Sequence, residues 1–322
     1  MIKRLGLLWG ESTNPWYNLA VEEMLLEAAG EDMCILYLWQ NENTVVIGRN
    51  QNPWKECKSA LLEQEGGKLA RRLSGGGAVF HDLGNLNFTF LMPQSDYDLD
   101  RQLRVIQEAV ASFGVPTERS GRNDVLAAGR KFSGNAFYKN GKQAYHHGTL
   151  LISADQEKLG RYLSPSKAKL QAKGVDSVRS RVVNLSELEP SITVDTLGKA
   201  LEASFRRVYG MEPERMTVSR LDPERLKELT RRNSSWEWNF GRKMECTLSM
   251  EERFSWGGVE LELLVDSGVI QEAKVWSDAM DWSLAQELET VLIGCRLDPA
   301  PLTDRLSGRE EFRDVLTLLK QI

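Results

Sequence analysis

Three consecutive glycines at residues 75–77 lie in the stretch of this sequence whose residue types are best suited to bind an anion. Arg71 and Arg72 come shortly before the glycines, and His81 and Asp82 follow them. Glycine has no Cβ, so the backbone amides of such a turn can approach a phosphate or a carboxylate closely. The arginines would add fixed positive charge beside those amides.

The glycines belong to neither of the common phosphate-binding fingerprints, because both of those lead into a helix. Here the residues that follow Gly77 form apolar runs, and an alternating apolar pattern at residues 86–90 is typical of a strand. We therefore predict a glycine turn between two strands, with arginine on its entry side. The alternative is a tight hairpin that carries ordinary surface arginines.

A second stretch, residues 121–151, predicts a set of hairpins. A strand at residues 124–128 turns at Gly129-Arg130, and Asn140-Gly141 is a strong signal for the next hairpin. In the return strand, His147 shares a face with Thr149, whereas His146 points the opposite way. We predict that His147 is the histidine that faces a site.

Taken together, these stretches resemble the lipoate–protein ligase family, the bacterial enzymes that attach lipoic acid to lysine. The resemblance rests on RRLSGGGAVFHDLGN at residues 71–85 and on GRNDVLAAGRKFSGNAFYKNGKQAYHHGTLL at residues 121–151. It continues through SPSKAKLQAKGVDSVRSRVVNL at residues 164–185, WEWNFG at residues 236–241 and RFSWGGVELEL at residues 253–263. It therefore covers almost the whole chain, including the small C-terminal domain of the long-form enzymes.

The resemblance implies an α+β fold with two domains. A mixed, largely antiparallel sheet with flanking helices would form a catalytic domain of the biotin/lipoate ligase type. We place this domain at residues 1–242 and a small α/β accessory domain at residues 243–322. The C-terminal part contains no histidine and no triad-like group, so we assign no catalysis to it.

The resemblance also implies an activity. The enzymes of the family activate free lipoate with ATP to lipoyl-AMP, release pyrophosphate, and transfer the lipoyl group to a lysine of an acceptor protein. The acceptors are lipoyl domains of 2-oxo acid dehydrogenase acyltransferase subunits and the glycine cleavage H protein. Adenylation brings two anions together, so the site needs fixed cations and amide donors where charge accumulates.

By this resemblance, Lys131 stands where the family has a lysine that contacts both the acyl carbonyl and the α-phosphate. Its alternative is an exposed hairpin lysine. The residues that the resemblance implies for the nucleotide are Arg72, Gly77, Ala78, Val79, Phe80, Asn123, Asp124 and Lys131. Asp124 would also contact Mg²⁺, which prefers carboxylate, water and phosphate oxygens; alternatively, it bonds its own backbone at the start of a hairpin.

A second set of residues would hold the acyl substrate. This set consists of Trp39, Ser74, Gly75, Gly76, His81, Gly134, His147 and Thr149. For Trp39 the alternative is a core tryptophan, and for His81 it is a buried histidine satisfied beside Asp82. Between residues 167 and 181, five cations face one acid; this loop would screen pyrophosphate or dock an acidic acceptor, and its alternative is a solvated face.

Composition excludes several other classes of protein. Hydrophobic residues make up 41% and charged residues 27% of the 322 residues, which is ordinary for a globular protein. A net charge of −5 argues against a general nucleic-acid binder. No run of apolar residues is long enough to span a membrane, and the apolar patch near the N-terminus is too short for a signal peptide. We expect a cytoplasmic monomer whose four separated cysteines form neither a zinc site nor a disulfide framework.

The remaining patterns predict the elements that position these residues. Helices are expected at residues 14–30, 52–66, 97–113, 193–209 and 221–232, the first two beginning with an Asn-Pro-Trp cap. Early strands are expected at residues 2–10 and 34–48. In the C-terminal part, strands at residues 246–256, 259–265 and 269–276 would form a meander, with helices at residues 282–293 and 309–321.

Two rival functions remain open at this point. The first is octanoyl transfer from acyl carrier protein, which needs no ATP; one route uses a nucleophilic cysteine, and residues 71–185 contain none. The second is a module that binds an acyl-adenylate without turnover. Biotin ligases are related by fold, but their glycine–arginine loop differs from the RRLSGGG of this chain.

Overall fold

The computed structural model describes residues 1–121, 124–164, 182–241 and 244–321. It has the predicted α+β architecture, in which helices flank a large mixed sheet and a smaller unit of strands and helices follows it. The expected basic loop at residues 167–181 and the domain boundary at residue 242 lie outside the described residues, so both stay predictions. Within the described ranges, no helix is long and apolar enough to cross a membrane.

Fourteen strands are described, and they form three sheets. The strands are β1 (Arg4–Trp9), β2 (Met33–Trp39), β3 (Thr44–Ile47), β4 (Lys68–Arg71), β5 (Val79–His81), β6 (Asn85–Pro93), β7 (Thr117–Ser120), β8 (Asp124–Ala127), β9 (Arg130–Lys139), β10 (Gln143–Leu151), β11 (Pro213–Arg215), β12 (Leu248–Phe254), β13 (Gly257–Asp266) and β14 (Val269–Ser277). The large sheet has the order β11-β1-β2-β6-β10-β9-β8-β7. The parallel pairs in this described sheet are those of β1 with β11 and with β2, and the other pairs are antiparallel, so the sheet is largely antiparallel, as predicted.

The described helices pack against the large sheet, against the small sheet of β3, β4 and β5, or within the C-terminal unit. They are α1 (Pro15–Ala28), α2 (Pro53–Glu56), α3 (Ser59–Gln64), α4 (Leu99–Ala111), α5 (Gln156–Tyr162), α6 (Leu185–Leu188), α7 (Val194–Tyr209), α8 (Pro223–Ser234), α9 (Trp236–Phe240), α10 (Leu284–Leu292), α11 (Pro299–Leu306) and α12 (Glu310–Leu319). The Asn14 side chain caps α1 by accepting from the Trp16 amide at 3.0 Å, as the sequence predicted.

Strand β6 lies inside the large sheet, and all nine of its residues are buried. Its apolar residues Phe88 and Phe90 face the core beneath α4 and α7. The alternate residues Asn87 and Thr89 face the opposite side, where α1 packs. A strand buried on both faces therefore carries polar side chains on one of them, and such groups must find partners or line a cavity.

The second Asn-Pro-Trp cap begins a much shorter helix than predicted. Instead of one helix over residues 52–66, the chain forms α2 and α3 with a break at Cys57. Cys57 is extended, with φ −136° and ψ 136°, and it forms a β-bridge with Leu163. The predicted continuous helix is wrong because this long-range pairing interrupts the local pattern.

The glycine turn joins two strands that do not pair with each other. In the small sheet the order is β4-β3-β5, with β4 parallel and β5 antiparallel to the central strand. The chain between residues 71 and 79 therefore crosses the end of β3 rather than closing a tight hairpin. The crossing is close, because a Cβ added at Gly48 would lie 2.2 Å from the Gly76 carbonyl oxygen.

The C-terminal unit is the predicted antiparallel meander, β12-β13-β14, covered by helices. Its first turn lies at residues 255–256, whereas the sequence pattern placed it at Gly257-Gly258. Helix α11 was not predicted, although Leu302 and Leu306 on it are buried in the core of this unit. Their spacing of four residues after Asp298-Pro299 was the available signal.

Candidate active site

Two rows of side chains cross the face of the large sheet that α1 covers. In the first row, Trp39, Asn87 and Thr149 are register partners on β2, β6 and β10. The second row, two positions away along each strand, consists of Tyr37, Thr89 and His147. The strand register thus brings together residues from three distant parts of the sequence.

A cavity of about 450 Å³ opens over the first row. Its size is within the range of small-molecule sites in proteins. Its lining residues are Leu19, Trp39, Val46, Arg72, Gly76, Gly77, Ala78, Val79, His81, Asn87, Ser120, Gly121, Asp124, Lys131, Gly134, Asn135, Ala136, His147, Gly148, Thr149, Arg253, Ser255, Trp256, Gly257, Asp278 and Met280. The glycine turn and Lys131 therefore border one cavity, which is the arrangement that adenylation chemistry would need.

Most of the sequence-predicted residues line this cavity, but some do not. Ser74, Gly75 and Phe80 are absent from its lining. Ser74 is fully buried behind the wall, and the ring of Phe80 packs against Tyr162 at a centroid distance of 5.4 Å. Asn123 lies outside the described residues. The roles assigned to all of these residues stay predictions.

Lys131 and Asp124 form an ion pair at the cavity wall. The Lys131 Nζ lies 2.6 Å from an Asp124 carboxylate oxygen, and each side chain is about one-third exposed, at 33% and 31%. Glycine at position 134 makes room for this ammonium group, because a Cβ there would lie 2.9 Å from Nζ. A partly exposed cation held by one carboxylate remains able to bind an anionic ligand.

Arg72 is buried and bonded to the glycine turn itself. Its Nη2 donates to the Gly75 carbonyl at 2.7 Å and to the Gly77 carbonyl at 2.8 Å, and its Nε donates to the Ser74 hydroxyl at 3.0 Å. With the carbonyls turned toward Arg72, the guanidinium fixes the shape of the turn. The predicted contact of Arg72 with a nucleotide phosphate stays a prediction.

His81 is buried, but its partner is Asn41 rather than the neighbouring Asp82. The Asn41 Nδ2 lies 3.1 Å from His81 Nδ1, while the Asn41 Oδ1 accepts from another amide. Asn41 therefore donates, so the proton of neutral His81 sits on Nε2, which has no partner among the described residues. Burial, and then the positive charge of Arg72, lower the pKa of His81 to about 3.

Asn87 is a cavity residue that the sequence analysis missed. Its Oδ1 accepts from the Asn85 side chain at 2.9 Å, which leaves its Nδ2 without a partner in the described chain. Both Asn87 and His81 line the cavity, and each keeps a buried donor nitrogen without a described partner. The available signal was a polar residue within the apolar alternation of β6.

The two adjacent histidines point to opposite faces, as predicted. His147 lines the cavity. His146 lies on the other face, where its ring nitrogens lie 3.0 Å from Gln102 and 2.7 Å from Asn135. Burial is the main cause that lowers the pKa of His146 far below its usual value, with a smaller effect from His147.

The C-terminal unit also supplies part of the cavity wall, including Arg253, Trp256 and Met280. None of the predicted site residues belongs to this unit. The glycine turn contacts this unit directly, because the Gly76 amide donates to the Ala279 carbonyl at 2.9 Å. This contact joins residues 203 positions apart in the sequence, and no local pattern predicts it.

Comparison with known families identifies the class of this chain. Residues 14–206 match the family model described as lipoyl protein ligase A/B catalytic domain, and residues 243–316 match bacterial lipoate protein ligase C-terminus. The chain belongs to the lipoate–protein ligase family, as the sequence motifs predicted.

Solved structures agree with this assignment. The crystal structure of Plasmodium falciparum LipL1 in complex with lipoate is 27% identical, with a TM-score of 0.86 over 99% of this chain and 100% of that one. A bipartite lipoate protein ligase of Thermoplasma acidophilum, described with its E2 lipoyl domain, is 26% identical, with a TM-score of 0.63 over 77% and 100%. A lipoate-protein ligase A bound with ATP is 27% identical, with a TM-score of 0.60 over 75% and 99%.

Proposed function

We propose that this chain is an ATP-dependent lipoate–protein ligase that works in two half-reactions. In the first, a carboxylate oxygen of free lipoate attacks the α-phosphorus of ATP, which forms lipoyl-AMP and releases pyrophosphate. In the second, the amine of an acceptor lysine attacks the acyl carbon, which forms an amide and releases AMP. The observation that carries the proposal is a single cavity bordered by the glycine turn, the Lys131–Asp124 pair and Trp39.

The first half-reaction brings a carboxylate up to a triphosphate, and their repulsion must be offset. Lys131 offers a compact positive charge at the cavity wall. Amides of the turn at residues 77–80, together with Arg72, would hold the phosphates, with Asn123 and Asp124 beside them. Fixing both reactants in one cavity lowers the entropic part of the barrier.

Lipoate would lie on the opposite side of Lys131 from the nucleotide. Trp39 offers an apolar wall for the acyl chain, while Gly76, Gly134 and Thr149 leave space beside it. His81 Nε2 and Asn87 Nδ2 supply donors for an oxygen of the bound acid. Such a division into an apolar part and a few polar contacts is usual for small-molecule sites.

Asp124 would hold Mg²⁺ in this proposal. Its carboxylate is in the cavity, and Mg²⁺ needs only one or two protein carboxylates when phosphates complete its shell. No group of three or more metal-binding side chains occurs in the described part of the chain, which suits an ion held mainly by the substrate. Bound Mg²⁺ would neutralise part of the charge on the phosphates.

The acceptor in this proposal is a lipoyl domain, either of a 2-oxo acid dehydrogenase acyltransferase subunit or the related H protein. The Thermoplasma acidophilum ligase, which is described with its E2 lipoyl domain, supports that class of partner. To test the function, we would incubate a lipoyl domain with the chain, lipoate, ATP and Mg²⁺, and measure its mass. A lipoyl adduct that needs ATP is expected; adducts formed from octanoyl carrier protein without ATP would favour the transferase instead.

Lys131→Ala should abolish lipoate-dependent exchange between ATP and pyrophosphate, because the cation between carboxylate and α-phosphate is lost. The fold should survive, since the Lys131 side chain is partly exposed. Lys142→Ala is the matched control: this lysine is exposed on a hairpin and does not line the cavity. Wild-type exchange in Lys131→Ala would remove the residue from the mechanism.

A further inference from the structure

Glu22 is a buried acid on α1 that neither the sequence motifs nor the family matches assign. Its side chain is only 2% exposed, and the only ion pair that includes it in the described structure is with His147. Burying a carboxylate is costly unless hydrogen bonds replace its lost water. A reason for keeping an acid at this position must therefore lie in its contacts.

Glu22 begins a continuous series of hydrogen bonds toward the glycine turn. Its Oε1 lies 2.8 Å from His147 Nδ1, and His147 Nε2 lies 2.8 Å from the Ser74 hydroxyl. The Ser74 oxygen in turn accepts from Arg72 Nε at 3.0 Å. Arg72 then donates to the carbonyls of the turn, so four side chains connect α1 to the glycine backbone.

The chemistry of these groups limits the direction of each hydrogen bond. A carboxylate only accepts, so His147 Nδ1 must donate to Glu22. With the single ring proton on Nδ1, His147 Nε2 accepts from the Ser74 hydroxyl. The Ser74 oxygen is left with lone pairs facing Arg72 Nε, which is the geometry observed.

A second branch connects Glu22 to the predicted acyl side of the cavity. The same Oε1 accepts from the Thr89 hydroxyl at 2.7 Å, and the Thr89 oxygen accepts from Trp39 Nε1 at 3.0 Å. One carboxylate thus holds both the cavity-facing histidine and the tryptophan of the first row. Both branches consist of buried groups, where hydrogen bonds are strong and their loss is costly.

Glu22 also offsets the charge of a buried cation. Burial lowers the pKa of Arg72, and the negative charge of Glu22 is one of the influences that oppose this shift. Arg72 has no carboxylate within ion-pair distance among the described residues. The nearby acid therefore helps to keep the guanidinium charged while it binds the turn.

We propose that Glu22 is a positioning residue that acts through His147 and Ser74 on Arg72 and the glycine turn, and through Thr89 on Trp39. It would touch neither substrate, but it would set the geometry on both sides of the cavity. This inference rests on the proposed function, because its effect on rate is the effect on lipoate adenylation.

The test is a double-mutant cycle of Glu22→Leu and Ser74→Ala, read by lipoate-dependent ATP–pyrophosphate exchange. Leucine keeps the approximate size of the side chain and removes the acceptor oxygen. Each single variant should lower kcat/KM for ATP by roughly tenfold to a hundredfold, since misplacement by about 1 Å has effects of that size. The double variant should lose little more than the worse single variant, because both changes break the same series. Glu22→Gln should retain most of the rate, because its amide oxygen can accept the same two hydrogen bonds. Additive losses, or a wild-type rate in Glu22→Leu, would overturn the proposal.

Two controls separate positioning from folding and from the proposed function. Glu27→Gln changes an exposed acid on the same helix and should leave both exchange and thermal unfolding unchanged. Nitrogen-15 NMR of the three histidines should show His147 protonated at Nδ1 and not at Nε2, with this pattern altered in Glu22→Leu, which removes the acceptor. A proton on His147 Nε2 in the wild type would refute the proposed series of hydrogen bonds, whether or not ATP–pyrophosphate exchange is observed. Absence of that exchange in the wild type, by itself, would count only against the proposed function.

Discussion

His81 is a histidine that the folded protein keeps neutral. Its ring is 4% exposed and contacts the edge of Trp39, with 6.2 Å between ring centroids. Because Asn41 donates to His81 Nδ1, the proton of the neutral ring lies on Nε2, which is therefore the donor nitrogen. A neutral donor can bind an oxygen without adding a further cation beside Arg72.

This neutrality predicts a pH dependence of stability. The folded-state pKa of His81 is lowered to about 3, below the value of about 6.5 expected when unfolded. Between these values the unfolded chain binds a proton that the folded chain does not. The free energy of unfolding should therefore fall on acidification through this window, by at most about 1.4 kcal/mol per pH unit for one histidine.

Urea unfolding at several pH values between about 7.5 and 5 measures this slope. His81→Gln should show a shallower loss of stability than the wild type, because one proton-binding group is removed from the unfolded chain. His146→Gln should act in the same direction, since the pKa of His146 is also lowered. An unchanged slope in both variants would contradict the neutral state of these rings.

At the residue scale, the sequence motifs single out side chains that the fold brings together, while the roles assigned to those side chains stay predictions. The structure brings Lys131, Asp124 and His147 to one cavity, and each lies in the long matched stretch at residues 121–151. Glu22 was not predicted because its partners are distant in sequence, and Asn87 was not predicted because its place beside Trp39 and Thr149 depends on the strand register. In the sequence, Glu22 is recognisable as an acid on the buried face of a helix, and that pattern does not identify the side chains that Glu22 contacts.

At the scale of elements, the glycine turn is shaped by what packs against it. A Cβ added at Gly75 would lie 2.4 Å from the Ala279 carbonyl oxygen and 2.6 Å from that of Met280. Both obstacles are backbone atoms, which cannot move aside as a flexible side chain can. The glycine at this position therefore permits contact between the turn and the C-terminal unit.

Gly75→Ala should separate the turn from residues 279–280. We expect faster hydrogen exchange at the Gly76 amide, whose bond to Ala279 would be lost, and a lower kcat/KM for adenylation. Gly160→Ala is the matched control, because no atom lies within 4 Å of the position its Cβ would take. Unchanged exchange at Gly76 in Gly75→Ala would show that the turn does not depend on this contact.

Elements with a complete local signature were predicted well, and those set by distant pairing were not. Helix α7 was predicted at residues 193–209, and it begins after a Thr193 cap and ends at Gly210, which has φ 70°. By contrast, the single helix predicted over residues 52–66 is interrupted at Cys57, which pairs with Leu163 and so separates α2 from α3. A bridge between segments about a hundred residues apart leaves no trace in the local hydrophobic pattern.

At the scale of the whole molecule, the C-terminal unit completes the cavity. Several contacts join it to the larger sheet unit: the Ser277 amide donates to the Asn50 carbonyl at 2.8 Å, and Trp282 Nε1 donates to the Lys139 carbonyl at 3.1 Å. Lys55 also pairs with Glu260 across the same boundary at 2.9 Å. The sequence showed a separate meander, but the position of that meander depends on side chains from both units.

Arg253 is the cationic side chain that the C-terminal unit adds to the described cavity lining. It lies on β12, 3.3 Å from Asp278, and its side chain is 31% exposed. A triphosphate concentrates negative charge, so a further guanidinium at the wall should strengthen ATP binding. Arg253→Ala should raise the KM for ATP roughly tenfold, as expected for one charge-assisted contact worth about 1.4 kcal/mol.

The same change should leave transfer from preformed lipoyl-AMP to a lipoyl domain unaffected, because that half-reaction involves no pyrophosphate. Steady-state exchange kinetics measure the first effect, and single-turnover transfer measures the second. Arg296→Ala is a suitable control, since Arg296 is exposed on the C-terminal unit and lies outside the cavity lining. Equal losses in both half-reactions would mean that Arg253 supports the wall of the cavity instead of binding the β- and γ-phosphates.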